Sequence, residues 1–472
     1  MEPSESALES NPPKTSSSGD PSHLLHRSLS APPLTVTKAL GNYLELSNGQ
    51  RILDATTGAA VACLGHGNAR VKAALAKQMD VVSYCHSLFY STSAADELAA
   101  ELIRGTEGKM EKAFIVSSGS EAIEAAMKLA RQYFLELSPP QPSRTLFIAR
   151  KQSYHGTTLG ALGLGGHVGR RAAFEPLLAT NTEFVSPAYF YRGMADGELE
   201  EEYADRLAQE LEETIERVGP ENVCVFVAEP IVGAALGCVP SPRGYFPKIR
   251  EICDKHHILL ILDEIMSGMG RSGTLHAWQD LDVVPDVQTI GKGLGGGYAP
   301  VAGLLVNKRV IEVLRQGTGA FAHGQTYQGH PMACAAALEV QRIVREEKLV
   351  ENVQEMGVLM EKLLKSRLAG HEYVGDIRGK GLFWGIEFVQ DKKTKKPFYP
   401  GDAVAMGVHQ KGMEPKYNIS IYPGTGTVDG KSGDHVLLCP AYNVTADVVE
   451  EIVDLTAKVI EDYFRGKTLV HT

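Results

Sequence analysis

Two charged residues stand where apolar runs stop. "HILLILDE" (His257 to Glu264) is almost entirely aliphatic until Asp263, and "VQTIGKG" (Val287 to Gly293) ends in Lys292 held between glycines. They lie about one βαβ step apart, so neighbouring strands could deliver an acid and an amine to one pocket. An amine partly withdrawn from water has a depressed pKa and becomes a nucleophile toward carbonyl carbon. A carboxylate can keep a ring nitrogen protonated. Taken alone, Asp263 is as well explained by a strand-end turn or an ion pair.

The pairing gains weight from three further stretches. "SSGSEA" follows the run "AFIV" (Ala113 to Val116) and opens a helical pattern. There Gly119 permits close backbone approach, Ser120 offers a hydroxyl, and a helix starting near Glu121 turns its free N–H groups outward, as phosphate binding requires. "YHG" sets an aromatic and a histidine, Tyr154 and His155, where they could stack on a flat ring. Glu229 closes the run "VCVFVAEP". Lysine, acid and phosphate cradle together are what pyridoxal 5'-phosphate needs. A nucleotide phosphate loop is the poorer reading of "GKGLGGG", because Gly293 replaces the required Ser or Thr.

The elements that must position these groups alternate between strand and helix from about Lys112 onward. "VCVFVAEP" and "HILLILDE" read as strands buried on both faces of a parallel sheet, with "PKIREICDKHH" as the crossover helix between them. "EAIEAAMKLARQYF" is amphipathic, with Glu121 and Glu124 early and Lys128 and Arg131 later. The fold class is therefore α/β, an open and mostly parallel sheet. The C-terminal third reads as a smaller α+β unit: a long helical run, the strand-like "VGDIRGKGLFWGIEFV", the strand "VLLCPAY" and a terminal helix. The expected division is a disordered tail over 1–24, an N-terminal segment of the small domain over 25–75, a large domain over 76–335 and the small domain over 336–472.

Composition limits the partners. The chain has 472 residues, 43% hydrophobic and 22% charged, and a net charge of −10 that disfavours nucleic acid. Seven scattered cysteines without a CxxC suggest neither a disulfide framework nor a metal site and fit a reducing, cytoplasmic setting. No apolar run is long enough for a membrane span. The Ser/Pro/acid-rich first residues do not resemble a mitochondrial presequence.

With these residues in view, the sequence resembles the class III pyridoxal-phosphate-dependent aminotransferases of fold type I from roughly His26 to the C-terminus. The motifs are "LDATTGAAVACLGHGN", "SSGSEAIEAAMKLAR", "SYHGTTLGALGLGG", "AEPIVG", "LDEIMSGMGRSG", "PDVQTIGKGLGGGYAPVAG" and "HGQTYQGHPMACAAAL". The resemblance implies Lys292 as the Schiff-base lysine, Asp263 as the pyridinium partner, and Ile265 and Tyr154 on opposite ring faces. It implies Gly119 and Ser120 at the phosphate, with Thr326 reaching it from a neighbouring subunit, hence a homodimer with shared active sites. The implied reaction moves an amino group from a primary amine or ω-amino acid to a keto acid or aldehyde.

Departures from the family pattern bear on substrate. The glutamate and arginine gate of ornithine and 4-aminobutyrate enzymes is replaced by alanine and leucine in "EPIVGAALG" and "HVLLCPAY". Ala59 and Ala60 stand where a tryptophan is common, and Met266 where glutamine is, which implies a roomier apolar pocket; Phe89 and Ala60 are the candidate lining residues. The loop Tyr422 to His435 lacks an arginine for an acceptor carboxylate, leaving Lys431 or Arg378 to serve, or an acceptor that is not a keto acid. The same lysine and acid would serve a decarboxylating aminotransferase, an aminomutase or a racemase. A nucleotide-binding regulatory protein is the non-enzymatic alternative.

Overall fold

The computed structural model describes residues 23–29 and 31–466; most of the expected disordered tail lies outside these residues. Its centre is a seven-stranded sheet in the order Met110–Val116, Ala302–Asn307, Val287–Ile290, Leu259–Asp263, Val223–Ala228, Leu146–Arg150, Thr182–Val185. Ala302–Asn307 runs antiparallel to both its neighbours, and the remaining pairings are parallel.

The continuous apolar runs are explained by which face each residue serves. Side chains alternate across a strand, so every position of a doubly covered strand must be apolar. Phe226, Ala228, Leu260 and Leu262 pack under the helices Glu200–Val218 and Tyr245–Lys255, with Leu211 and Ile249 among their partners. Val225, Val227, Leu259 and Ile261 turn the other way, onto Ile123, Leu129 and Phe134 of the helix Gly119–Glu136. Parallel strands then end together at one edge. Asp263 pairs in register with Thr289, three residues before Lys292.

Several elements differ from the sequence expectation for identifiable reasons. The helix after "AFIV" begins at Gly119 because Ser118 caps it, its hydroxyl accepting from the Glu121 N–H at 3.3 Å. The link from Asp263 to Val287 contains turns and a 3-10 turn at Ala277–Asp280 instead of an α-helix, since glycines recur through Gly268, Gly270 and Gly273. The long C-terminal helical run divides into Pro331–Glu346 and Leu349–Leu368 at Lys348, whose φ is 50°. "VGDIRGKGLFWGIEFV" is a hairpin, Val374–Lys380 against Phe383–Phe388, turning at Gly381 with φ 58°.

That hairpin belongs to a four-stranded sheet with Asp434–Leu438 and Tyr422–Thr425. A second four-stranded sheet joins Val36–Leu40, Tyr43–Leu46 and Arg51–Asp54 to Ile419–Ser420, the last pair parallel. Leu53, Cys63 and Val71 share one apolar core with Val353, Phe388, Val436, Ile452 and Phe464. Early and late parts of the chain are thereby packed into the same unit. Among the described residues no helix is long and apolar enough to cross a membrane.

Gly381 is the turn on which the hairpin depends. A Cβ there would lie 2.6 Å from the Ser272 carbonyl carbon, and its φ is left-handed. Gly381→Ala is expected to cost at least about 1–2 kcal/mol from backbone strain alone. Gly370→Ala, where a Cβ meets nothing within 4 Å, is the control. Urea-unfolding midpoints of the two variants check this; equal midpoints would contradict it.

Candidate active site

At the carboxyl edge of the large sheet lies a cavity of about 180 Å³. Its walls include Gly119, Ser120, Tyr154, His155, Glu229, Asp263, Ile265 and Lys292, which the sequence had separated by up to 173 positions. Ser118, Gly156, Ala234 and Met266 complete it. Each charged member is delivered by the end of a strand, and each is held by groups behind it.

Lys292 sits just beyond Val287–Ile290 at φ 46°, a left-handed conformation that a lysine adopts only when its surroundings impose it. Burial pushes its pKa below the usual lysine value, while the nearby Asp263 and Glu229 carboxylates pull the other way. Asp263 is 4% exposed and fully engaged. Its Oδ1 accepts from the Thr289 hydroxyl and the Ile265 N–H, both at 3.1 Å. Its Oδ2 lies 2.7 Å from Nδ1 of His155. A carboxylate only accepts here, so Nδ1 carries the hydrogen, and the buried Nε2 is left without a partner.

His155 lines the cavity and its ring also braces Asp263. Glu229 is braced similarly, accepting from the Tyr154 N–H and the Gly233 N–H at 3.0 Å each. Burial raises its pKa, opposed by His155. Glu229 thereby ties the Tyr154 loop to the segment carrying Ala234.

The glycines are required sterically. A Cβ on Gly119 would meet Ile265 at 3.0 Å, and one on Gly291 would meet it at 3.2 Å. A Cβ on Gly156 would lie 2.6 Å from the Ser120 hydroxyl, and Gly156 has φ 137°. Ser120 accepts from the Thr157 N–H at 3.0 Å. The helix starting at Gly119 has first-turn N–H groups with no helical carbonyl to bond, and Ile265 packs against its first residue. An amine, a braced carboxylate and a helix N-terminus around one cavity fit a phosphorylated aromatic aldehyde.

Other candidates lie elsewhere. Arg378 is 3% exposed and enclosed by Asp376 at 2.9 Å and Glu387 at 2.7 Å; it also donates to the carbonyls of Gly237 and Leu236. These contacts take up four of its five guanidinium N–H donors. Lys431 is exposed on its loop. Phe89 is exposed and lines a different cavity with Tyr90 and Phe114. Ala60 is buried behind the site in an apolar cluster with Met266, Ile231 and Leu437. Thr326 is exposed and contacts Tyr84 through its carbonyl, outside the cavity formed by its own chain. Sequence reasoning missed Thr289 and Gly291, whose only signal was their place beside Lys292, and Arg170, whose guanidinium lies over the Tyr154 ring.

The sheet thus brings a lysine and an acid to one cavity from adjacent parallel strand ends. The family model for class III aminotransferases matches residues 25–460, and the chain belongs to that family. It is an aminotransferase, a transferase acting on small molecules. It is 54% identical to an aminotransferase of Gibberella zeae over 92% of this chain and 85% of that one. It is 36% identical to the vanillin aminotransferase of Capsicum frutescens, covering 91% and 92%. The ω-transaminase of Pseudomonas jessenii, solved in complex with PMP, superposes with a TM-score of 0.84 at 33% identity, covering 92% and 93%.

Buried histidines make stability pH-dependent. Burial lowers His276 to about 4 and His435 to about 3, so the unfolded chain takes up protons the folded one refuses. Their contribution is fully present above pH 6.5 and is lost as pH falls toward those values. His276→Gln is expected to flatten the acid limb of stability against pH, by up to about 1.4 kcal/mol per pH unit. Urea midpoints from pH 7.5 to 4.5 measure the slope; an unchanged slope would refute this.

Proposed function

We propose that the chain binds pyridoxal 5'-phosphate in this cavity and transfers amino groups from a primary amine or ω-amino acid to a keto acid or aldehyde. The observation that carries the proposal is the meeting of Lys292 and Asp263 at the ends of adjacent, parallel, in-register strands.

When bound, pyridoxal phosphate supplies an aldehyde carbon for the amine nitrogen and a protonated ring that withdraws electrons from it. Lys292 would hold that carbon through Nζ and, when freed by substrate, its amine would serve as the base that takes the proton from the substrate carbon bearing nitrogen and the acid that delivers it to the carbon Nζ had held. Its lowered pKa leaves more of the amine uncharged near neutrality than an exposed lysine would have. Asp263 would face the ring nitrogen and keep it protonated, and its bonds to His155 and Thr289 hold the carboxylate in one orientation. Gly119 and Ser120 would receive the phosphate at the helix start, and Tyr154 and Ile265 would confine the ring.

Ala234 and Met266 in the wall support an uncharged, roomy substrate end. A division into a large cofactor-binding unit over 76–335 and a small unit from 25–75 and 336–472 accords with the shared core. A reducing, cytoplasmic setting is supported by seven free cysteines, six of them buried.

A homodimer is the proposed assembly. Leu88, Phe89, Tyr90 and Tyr327 are 75%, 71%, 66% and 57% exposed, an apolar surface that invites a partner. A second copy seated there would give Thr326 its route to a phosphate across the interface. Sedimentation at micromolar concentration is expected to give twice the chain mass; a monomer would overturn this assembly.

The cofactor proposal is tested by borohydride trapping of the purified protein followed by peptide mass mapping. The expected adduct is on Lys292. Lys292→Ala should lose it and lower transamination roughly 10²–10⁴-fold or more. An adduct on another lysine, or none, would sink the proposal.

A further inference from the structure

The turn that carries Lys292 is held by groups outside the cavity. Gly293 and Leu294, the next two residues, are buried, and their carbonyls face the helix Pro331–Glu346. From that helix Gln341, 4% exposed, donates its amide nitrogen to both, at 3.1 and 2.8 Å. Carbonyl oxygens only accept, so the amide nitrogen must face them and both its hydrogens are spent there.

The other sides of the turn are closed as well. The Cys63 thiol, from the N-terminal segment, reaches the same Gly293 carbonyl at 3.4 Å, and burial pushes its pKa up to about 12, which keeps it a donor. A Cβ on Gly293 would lie 2.8 Å from the Tyr442 hydroxyl, and one on Gly291 would lie 3.2 Å from Ile265. Within the turn the N–H groups of Gly295 and Gly296 both donate to the Lys292 carbonyl at 3.1 Å. The lysine's own carbonyl is therefore satisfied locally, whereas the two that follow are met by Gln341.

Such support is needed because Lys292 sits at φ 46°. A residue with a side chain stays in that region only where its surroundings over-determine it. Among the described residues Gln341 is the side chain that spans two successive carbonyls of the turn. It lines no part of the Lys292 cavity, so its influence on the amine passes through the backbone.

We propose that Gln341 is a positioning residue for the amine: by clamping the Gly293 and Leu294 carbonyls it keeps Lys292 left-handed and its Nζ in the cavity with Asp263. The inference rests on Lys292 being the reactive amine of the transamination proposed above.

Gln341 also lines a separate cleft of about 920 Å³ with Met269 and Val344, so the test substitution has to keep its bulk. Gln341→Leu does so and removes the donor. The cofactor-free full chain is labelled with trace acetic anhydride from pH 6 to 11, and Lys292 is followed by peptide mass mapping. In Gln341→Leu its titration midpoint is expected to rise toward that of exposed lysines, by about half a unit or more, as the amine leaves its buried place. In the loaded enzyme, with benzylamine and pyruvate, kcat should fall about tenfold or more while KM for the amine moves by less than about threefold. Gln354→Leu, which removes an amide bonded to the Gly273 carbonyl, is the control and should alter neither. A Lys292 midpoint equal to the wild type in Gln341→Leu overturns the assignment.

Should that variant fail to fold, Gln341→Glu decides. A protonated carboxyl can donate to one carbonyl, whereas the carboxylate repels both, so transfer by this variant relative to wild type should climb as pH falls from 9 to 6. A ratio independent of pH overturns the assignment. A wild type that traps no pyridoxal phosphate on Lys292 defeats the reading of the site instead, and labelling of the cofactor-free chain still tests Gln341.

Discussion

The register between two neighbouring parallel strands is the constraint on which the site depends. Asp263 lies opposite Thr289, and that pairing does two things at once. It supplies the hydroxyl that holds the carboxylate, and it sets Lys292 the right number of residues beyond the sheet edge. A slip of one residue would reverse every side chain of the strand and send Asp263 toward a helix-covered face. The aliphatic residues on either face prevent that slip, so the core stabilises the fold and aims the acid with the same contacts.

Around this pair, polar atoms are used to hold other polar atoms. His155 braces Asp263, Glu229 fastens two backbone loops, and Ser118 and Ser120 each accept from a nearby N–H. Buried charges are tolerable when each has such partners and costly when it does not. The arrangement surrounds the lysine amine with polar neighbours of fixed orientation.

Much of this was legible in the sequence. The continuous apolar runs announced doubly covered strands, and polar residues following them marked the functional edge. Lys292, Asp263, Gly119, Ser120, Tyr154, Glu229 and Ile265 do converge in one cavity. Less legible were features decided by tertiary contacts. His155 braces an acid because Asp263 comes within 2.7 Å of it, a distance no spacing could reveal. Arg378 looked available because its partners, Glu387 and the loop at Gly237, come from other elements. The glycine turns at Gly381 and the break at Lys348 hide within patterns that read as single elements, since hydrophobic periodicity continues across both.

The pairing of Arg51–Asp54 with Ile419–Ser420 has a consequence for biosynthesis. On a ribosome the first three strands of that sheet emerge early, yet their parallel neighbour is made only after most of the chain. At common elongation rates of about 5–20 residues per second, the wait is roughly 20–70 seconds. During it the nascent N-terminal sheet has an open edge and an uncovered apolar face, while the large sheet is already complete enough to close. A chaperone that shields this segment, or delayed folding of it, would therefore govern how much polypeptide reaches the assembled state.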